Sequence, residues 1–158
     1  MNGDKLTPNF YLREFTRSSE AAKLGIDNSV INGRIVDNIM FMCQNILEPI
    51  RHALGDLPLT ITSGYRKAEL NKAVGGAKNS RHMFGLAVDF VPSARSGLSI
   101  EQAFHHIRTE MVGLRFDTMI QEFDTWIHID YDPKERLRCY RNIMVRGKSQ
   151  LTGVNDVT

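Results

Sequence analysis

One pattern constrains the fold of this 158-residue chain more than any other, a run of apolar side chains at helical spacing between residues 29 and 54. They recur at three- and four-residue steps, at Ile31, Ile35, Ile39, Met42, Ile46 and Ile50. This period predicts one long helix with a single buried stripe. Pro49 lies inside the pattern, and because proline lacks the N–H donor that a helix needs, we expect a kink or a division there.

The rest of the chain alternates between short helical and strand-like segments. Helical patterns cover residues 66–74 and 100–111, and strand-like runs cover 57–62, 86–91, 118–121, 126–131 and 139–145. Residues 122–125 separate two of these runs and predict a hairpin turn. Because helices dominate early and strands later, the sequence predicts an α+β fold with helices packed on a small antiparallel sheet. We expect one domain over residues 1–147, followed by a flexible polar tail over 148–158.

Composition excludes several classes of partner. Apolar residues make up 42% and charged residues 24%, as in ordinary globular proteins. The net charge of +2 is too small to predict a nucleic-acid partner. The most basic stretch, residues 134–141, is interrupted by Glu135, and we interpret it as a solvated face. No eighteen consecutive residues are apolar, so no membrane insertion is expected.

The N-terminal residues bear on where the protein is made, and the two cysteines bear on whether cysteine binds a metal. Residues 1–10 contain no apolar segment of the kind that a secretory signal carries, so we expect synthesis in the cytoplasm without a signal peptide. Cys43 and Cys139 form no Cys-x-x-Cys motif, which argues against a cysteine metal site.

The first candidate functional segment contains a carboxylate in apolar surroundings. Asp89 lies within the run Leu86-Ala87-Val88-Asp89-Phe90-Val91 and should therefore be buried. A buried carboxylate needs a cation or several hydrogen-bond donors. A metal ion held together with the nearby His82 would supply the cation. The simpler alternative is that Asp89 caps a turn or pairs with Arg66.

The second stretch is the predicted strand around His128. Side chains alternate along a strand, so Trp126, His128 and Asp130 share one face while Ile127 and Ile129 share the other. The isoleucines should face the core and His128 the opposite side. Two imidazoles and one carboxylate, from His82, His128 and Asp89, form the ligand set of a catalytic zinc ion with one open position.

A hydrolytic zinc site also needs a base close to the metal. Glu122 precedes His128 by six residues, across the predicted turn, and a short hairpin would bring it beside that strand. We interpret the other histidines, His52, His105 and His106, as surface or capped residues.

The motif Ser80-x-His82-x-x-Gly85-x-Ala87-x-Asp89, followed by Trp126-x-His128, resembles the zinc D-Ala-D-Ala carboxypeptidase family, peptidase family M15. A further family signature lies upstream, as Ser63-Gly64-Tyr65-Arg66 with Asn71 after it. The resemblance covers residues 6–131. It implies the fold that these peptidases share with the signalling domain of hedgehog proteins.

The resemblance also implies a role for each matching position. His82, Asp89 and His128 match the ligands of one zinc ion. Glu122 matches the catalytic base, with Asp124 as the competing candidate because the spacing to the second histidine varies in the family. Arg66 matches an arginine that contacts the substrate's carbonyl or carboxylate, and Ser80 matches a residue that supports the site through hydrogen bonds to substrate or to the metal ligands.

The implied function is a zinc metallopeptidase that hydrolyses an amide bond in bacterial peptidoglycan stem peptides, as a D-Ala-D-Ala carboxypeptidase or an L-Ala-D-Glu endopeptidase. The short chain without a visible signal peptide resembles the phage endolysin branch, whose members reach the wall through a holin or as part of a virion. If the protein is phage-encoded, we expect it to act at the bacterial cell wall or in the periplasm. We expect a monomer. The alternative is a non-catalytic module that keeps the zinc ion for binding or for virion structure.

Overall fold

The structure is a computed structural model that describes residues 4–30 and 32–154. Two short helices, α1 (Leu12–Thr16) and α2 (Ser19–Leu24), precede the long helical segment. That segment consists of α3 (Gly33–Met42), a π-helical stretch (Cys43–Leu47) and α4 (Glu48–Ala53). Helices α5 (Ala68–Ala73) and α6 (Ile100–Glu110) follow. The strands are β1 (Leu59–Ser63), β2 (Ala87–Pro92), β3 (Thr118–Glu122), β4 (Trp126–Asp130), β5 (Arg138–Val145) and β6 (Lys148–Gly153).

The predicted long helix forms with two differences. It begins at Gly33, where the Asn32 side chain accepts the Arg34 N–H, and Ile31 lies outside the described residues. The irregularity precedes Pro49 and takes the form of the π-helical stretch, with the Glu48 N–H donating to the Cys43 carbonyl five residues back. Pro49 then occupies the first turn of α4, where a missing N–H costs little. The stripe itself is buried, since Ile39, Met42, Ile46 and Ile50 are at most 1% exposed.

The strands form one sheet of order β1-β2-β4-β3-β5-β6. All neighbours are antiparallel except β3 and β5, which are parallel. The parallel pair arises because residues 131–137 carry the chain from the end of β4 past β3 to its far side. The α+β class is therefore confirmed, with a six-stranded and mostly antiparallel sheet.

The predicted hairpin between β3 and β4 is also confirmed. The Thr125 N–H donates to the Glu122 carbonyl at 2.8 Å. Phe123 and Asp124 have φ values of 49° and 53°, and two positive φ angles match the twist of a tight hairpin. This turn fixes the register that places Ile120 opposite His128.

Part of the segment predicted as a flexible tail forms a strand. Residues Lys148–Gly153 form β6, which pairs with β5 along its whole length. Its side chains are all exposed, so no apolar face marks it in the sequence, and the backbone pairing alone defines it. Residues 155–158 lie outside the described residues. Among the described helices, none has the length and apolar character required to cross a bilayer.

Candidate metal centre

His82 is held by a short 3-10 turn, Arg81–Phe84, packed against α3. Gly85 ends this turn at φ +68°, and a Cβ atom there would lie 2.9 Å from the Ile35 carbonyl oxygen. The imidazole is 3% exposed. Its Nδ1 lies 2.6 Å from the Gly64 carbonyl oxygen, so Nδ1–H donates and Nε2 is left as the ligand atom.

Asp89 lies on β2 and is buried as predicted, at 7% exposure. Its Oδ1 lies 2.7 Å from His128 Nδ1 and 3.4 Å from His82 Nε2. Its Oδ2 accepts from Arg66 Nη2 at 2.9 Å. Asp89 therefore pairs with Arg66 through Oδ2 and approaches both histidines through Oδ1. Burial acts to raise the pKa of Asp89, but hydrogen bonds from His128 and His82 hold it well below its usual value.

His128 lies on β4 directly opposite Asp89 in the register of the sheet. The predicted alternation is correct, because Ile127 and Ile129 are fully buried on the other face. Its Nδ1 faces Asp89, and its Nε2 lies 3.6 Å from Asp130 Oδ2. Burial opposes a charge on this imidazole, yet the Asp130 and Asp89 carboxylates raise its pKa to about 9 in the metal-free protein.

Together these three side chains fit a metal ion. One ligand atom from each of His82, Asp89 and His128 lies within 4.8 Å of the others. Each imidazole also has an oxygen at its second nitrogen, from Gly64 or Asp130, as metal-bound histidines normally do. Two nitrogens and one carboxylate oxygen leave a tetrahedral ion one open position.

Glu122 and Asp124 occupy different surroundings. Glu122 is two residues from Ile120, so it lies on the same sheet face as His128, and its Oε2 accepts from Asn142 Nδ2 at 2.8 Å. It lines the same cleft as His82, Asp89 and His128. Asp124 lies in the turn and accepts from the Gln121 side chain, which is buried on the opposite face.

Arg66 and Ser80 border the same cleft, which has a volume of about 490 Å³. Arg66 follows β1, and its Nε donates to Ser63 Oγ at 2.9 Å. With its Nη2 on Asp89, the guanidinium is anchored at two points. Ser80 immediately precedes the turn that carries His82.

Sequence reasoning missed four charged residues of this site. Asp130 was placed on the correct face, but its approach to His128 was not anticipated. Asp117, Arg136 and Arg138 line the same cleft, although residues 134–141 were expected to form only a solvated face. They meet through pairing between segments that are distant in sequence, so no local pattern identifies them.

The family model for Peptidase M15 matches residues 8–130 of this chain. The chain belongs to the peptidase M15 family. Its matched region contains every one of the six predicted site residues, Arg66, Ser80, His82, Asp89, Glu122 and His128.

A relative of this M15 protein is the zinc D-Ala-D-Ala carboxypeptidase of Streptomyces albus G, which is 43% identical over 68 residues. The match spans 42% of the chain and 27% of the relative. The relative is named as a zinc enzyme, and the His82, Asp89 and His128 cluster of this chain offers three ligand atoms for a metal ion.

Proposed function

We propose that this M15 protein is a zinc-dependent peptidase that hydrolyses an amide bond in peptidoglycan stem peptides. The observation that carries the proposal is the convergence of His82, Asp89 and His128 in a cleft whose wall also contains Glu122. A site that only stabilised the fold would need no additional carboxylate facing its open side. The relative's name supplies the substrate class, because D-Ala-D-Ala termini occur in these stem peptides.

Each residue has a definite task in the proposed reaction. His82 and His128 offer Nε2 and Nδ1 to the metal, and Asp89 offers Oδ1. A bound zinc ion supplies Lewis acidity toward a carbonyl group and lowers the pKa of water. Glu122 takes a proton from the attacking water and delivers it to the leaving amine.

Arg66 has two proposed effects in the same reaction. Through Nη2 it holds Asp89 Oδ2, which leaves Oδ1 turned toward the histidines. Its remaining donors face the cleft and stabilise negative charge that develops on the substrate oxygen. Ser80 supports the turn of His82 and contributes to substrate binding at the cleft edge.

The finer assignments extend the same proposal. The order of helices and strands supports a fold of the hedgehog and D-Ala-D-Ala peptidase type. The proposal covers both an endolysin-like L-Ala-D-Glu endopeptidase and a D-Ala-D-Ala carboxypeptidase. We propose that it acts as a monomer at the bacterial cell wall or in the periplasm, as a member of the phage endolysin-like branch would.

The test is mass spectrometry of muropeptides after incubation of zinc-loaded protein with purified peptidoglycan. New products that differ by one hydrolysed amide bond are expected, and their masses identify which bond is cut. His82→Ala should abolish them and lower the zinc content, whereas His105→Ala, on an exposed part of α6, should change neither. Stable zinc binding without any product from the wild-type protein would favour the non-catalytic zinc module instead.

A further inference from the structure

Two arginines line the cleft on the side away from Arg66. Arg136 precedes β5 and Arg138 is its first residue, and both border the cleft that contains the metal ligands. Their side chains are 41% and 40% exposed, so both remain partly accessible from the cleft. In the sheet, Arg66 follows β1 and Arg138 lies on β5, with the strand of His128 between them.

Both guanidinium groups are oriented by a single carboxylate. Asp117 is 3% exposed in its side chain, and it accepts from Arg136 Nε and Nη2 at 2.6 Å each. It also accepts from Arg138 Nη2 at 3.0 Å. A bidentate bond of this kind fixes the plane of a guanidinium as well as its position.

Arg138 has a second anchor on the site face of the sheet. Its Nη2 donates to Thr118 Oγ1 at 3.0 Å, and Thr118 pairs with it in the parallel register of β3 and β5. The Nη1 groups of Arg136 and Arg138 make no hydrogen bond within residues 4–30 and 32–154. Each therefore retains N–H donors that no described residue uses, although the Nε of Arg138 is buried.

The local charge also favours an anion. One buried carboxylate faces two guanidinium groups, which leaves an excess positive charge at this wall. Asp130 is the other acid close to Arg136, and it is engaged by His128 and by the Thr118 N–H at 3.0 Å. The cleft is lined by four arginines and four carboxylates, whose formal charges cancel. A bound zinc ion would therefore give the cleft a net positive charge.

We propose that Arg136 and Arg138, held by Asp117, form a binding site for a carboxylate group of the substrate. This inference rests on the proposed peptidase function and adds that the substrate is an acidic peptide. Arg138 is two strands from His128, which corresponds to about 10 Å of sheet. Because extended peptide spans about 3.3–3.6 Å per residue, the carboxylate belongs to a residue near the scissile amide, as an acidic side chain or as the chain terminus.

The alternative is that the arginines act only as a latch that fastens residues 131–137 to the sheet. The two readings differ for Arg138→Gln, which leaves the bidentate Arg136–Asp117 pair intact and should fold. A latch alone would lower thermal stability without changing which peptides bind. A carboxylate site would change peptide selectivity at nearly unchanged stability.

The experiment uses three versions of one synthetic L-Ala-D-Glu-containing stem peptide. In the first the D-Glu carboxylate and the terminal carboxylate are both free, and in each of the others one of them is amidated. Binding to zinc-loaded protein is measured by calorimetry, and hydrolysis by mass spectrometry. The wild-type protein should bind one amidated version at least 10-fold more weakly than the free acid, and that version identifies the recognised carboxylate.

Arg138→Gln should bind the free acid at least 10-fold more weakly than the wild type does. It should also no longer distinguish the free acid from the amidated version that the wild type binds weakly. Arg138→Lys keeps one charge without the forked geometry and should discriminate to an intermediate degree. Arg141→Gln is the matched control, because Arg141 lies on the same strand but pairs with Glu101 at 3.0 Å outside this cleft.

The two proposals can fail separately. Hydrolysis by a wild-type protein that binds all three peptides equally would overturn the carboxylate site alone. Clear discrimination in binding without hydrolysis of any version would overturn the peptidase proposal alone. Full discrimination retained in folded Arg138→Gln and Arg136→Gln variants would assign both arginines to the latch.

Discussion

At the scale of single residues, neighbouring carboxylates differ in what their side chains can reach. Glu122 and Asp124 are two positions apart, yet only Glu122 lies on the sheet face of His128. Asp124 is turned toward the buried Gln121 side chain and acts there as a turn residue. A base must come within hydrogen-bond reach of the proton that it takes, directly or through one water, and this favours Glu122.

We predict that Glu122→Gln retains zinc while hydrolysis of wall peptides falls by a factor of about 100 or more, because shape is kept and basicity is lost. Asp124→Asn should stay close to the wild-type rate. Zinc is measured by elemental analysis and hydrolysis by muropeptide release. Full activity in Glu122→Gln with loss in Asp124→Asn would transfer the role to Asp124, and loss of zinc in Glu122→Gln would make Glu122 a ligand.

Arg66 provides the second prediction at this scale. Arg66→Ala removes an oxyanion donor, which typically costs about 2.7–4 kcal/mol of barrier, so turnover should fall by a factor of about 100 or more. The three proposed metal ligands remain but Asp89 loses its Oδ2 partner, so zinc should bind more weakly and still reach about one ion per chain when zinc is in excess. Kinetics and elemental analysis on the same preparation check both statements. An unchanged rate would remove Arg66 from the reaction.

At the scale of elements, the position of His82 depends on contact between its turn and helix α3. Gly85 ends the turn so close to the helix that an added Cβ would lie 2.8 Å from Ile39 Cγ1 and 2.9 Å from the Ile35 carbonyl oxygen. Asn38 on the same helix also donates to the Phe84 carbonyl oxygen at 2.8 Å. The long helix thus supports the candidate metal centre, although the three candidate ligands lie on other elements.

We predict that Gly85→Ala destabilises the protein by about 3 kcal/mol, from left-handed backbone strain and from overpacking against α3. Gly25→Ala is the matched control, since Gly25 has nearly the same φ of +66° but open space around it. The control should lose only about 1 kcal/mol. Chemical denaturation of both variants measures the difference. Equal losses would show that the close contact with α3 has no energetic consequence.

At the scale of the whole molecule, metal binding and proton binding are linked. Histidine ligates zinc only as the neutral imidazole. In the metal-free protein the pKa of His128 is raised to about 9, so at pH 7 this side chain carries a proton that zinc must displace. The raised pKa stabilises the metal-free fold fully below about pH 6.5, and that contribution is lost as the pH rises through about 9.

The affinity for zinc should therefore rise with pH between 7 and 9, by up to about 10-fold per unit, and then level off. Competition with a chelator at several pH values measures this dependence. Calorimetry at pH 7 in two buffers of different protonation enthalpy should detect the released proton. An affinity that is constant between pH 7 and 8 would contradict a protonated His128 in the metal-free protein.

Sequence alone was sufficient where the determining interactions are local. The apolar period of the long helix, the alternation around His128 and the turn at residues 122–125 each follow from neighbours a few positions apart. Asp89 was identifiable because a carboxylate in an apolar run is costly without a partner. The motif around His82 predicted the family, and the match over residues 8–130 confirms it.

Tertiary structure decided what depends on pairing between distant segments. β6 was missed because its stabilising contacts are backbone hydrogen bonds to β5, which no side-chain pattern records. Arg136 and Arg138 enter the cleft and meet Asp117 only because β5 lies parallel to β3 on its far side. The amino-acid sequence thus determined which chemical groups are available, whereas the register of the sheet decided which of them meet in the candidate metal centre.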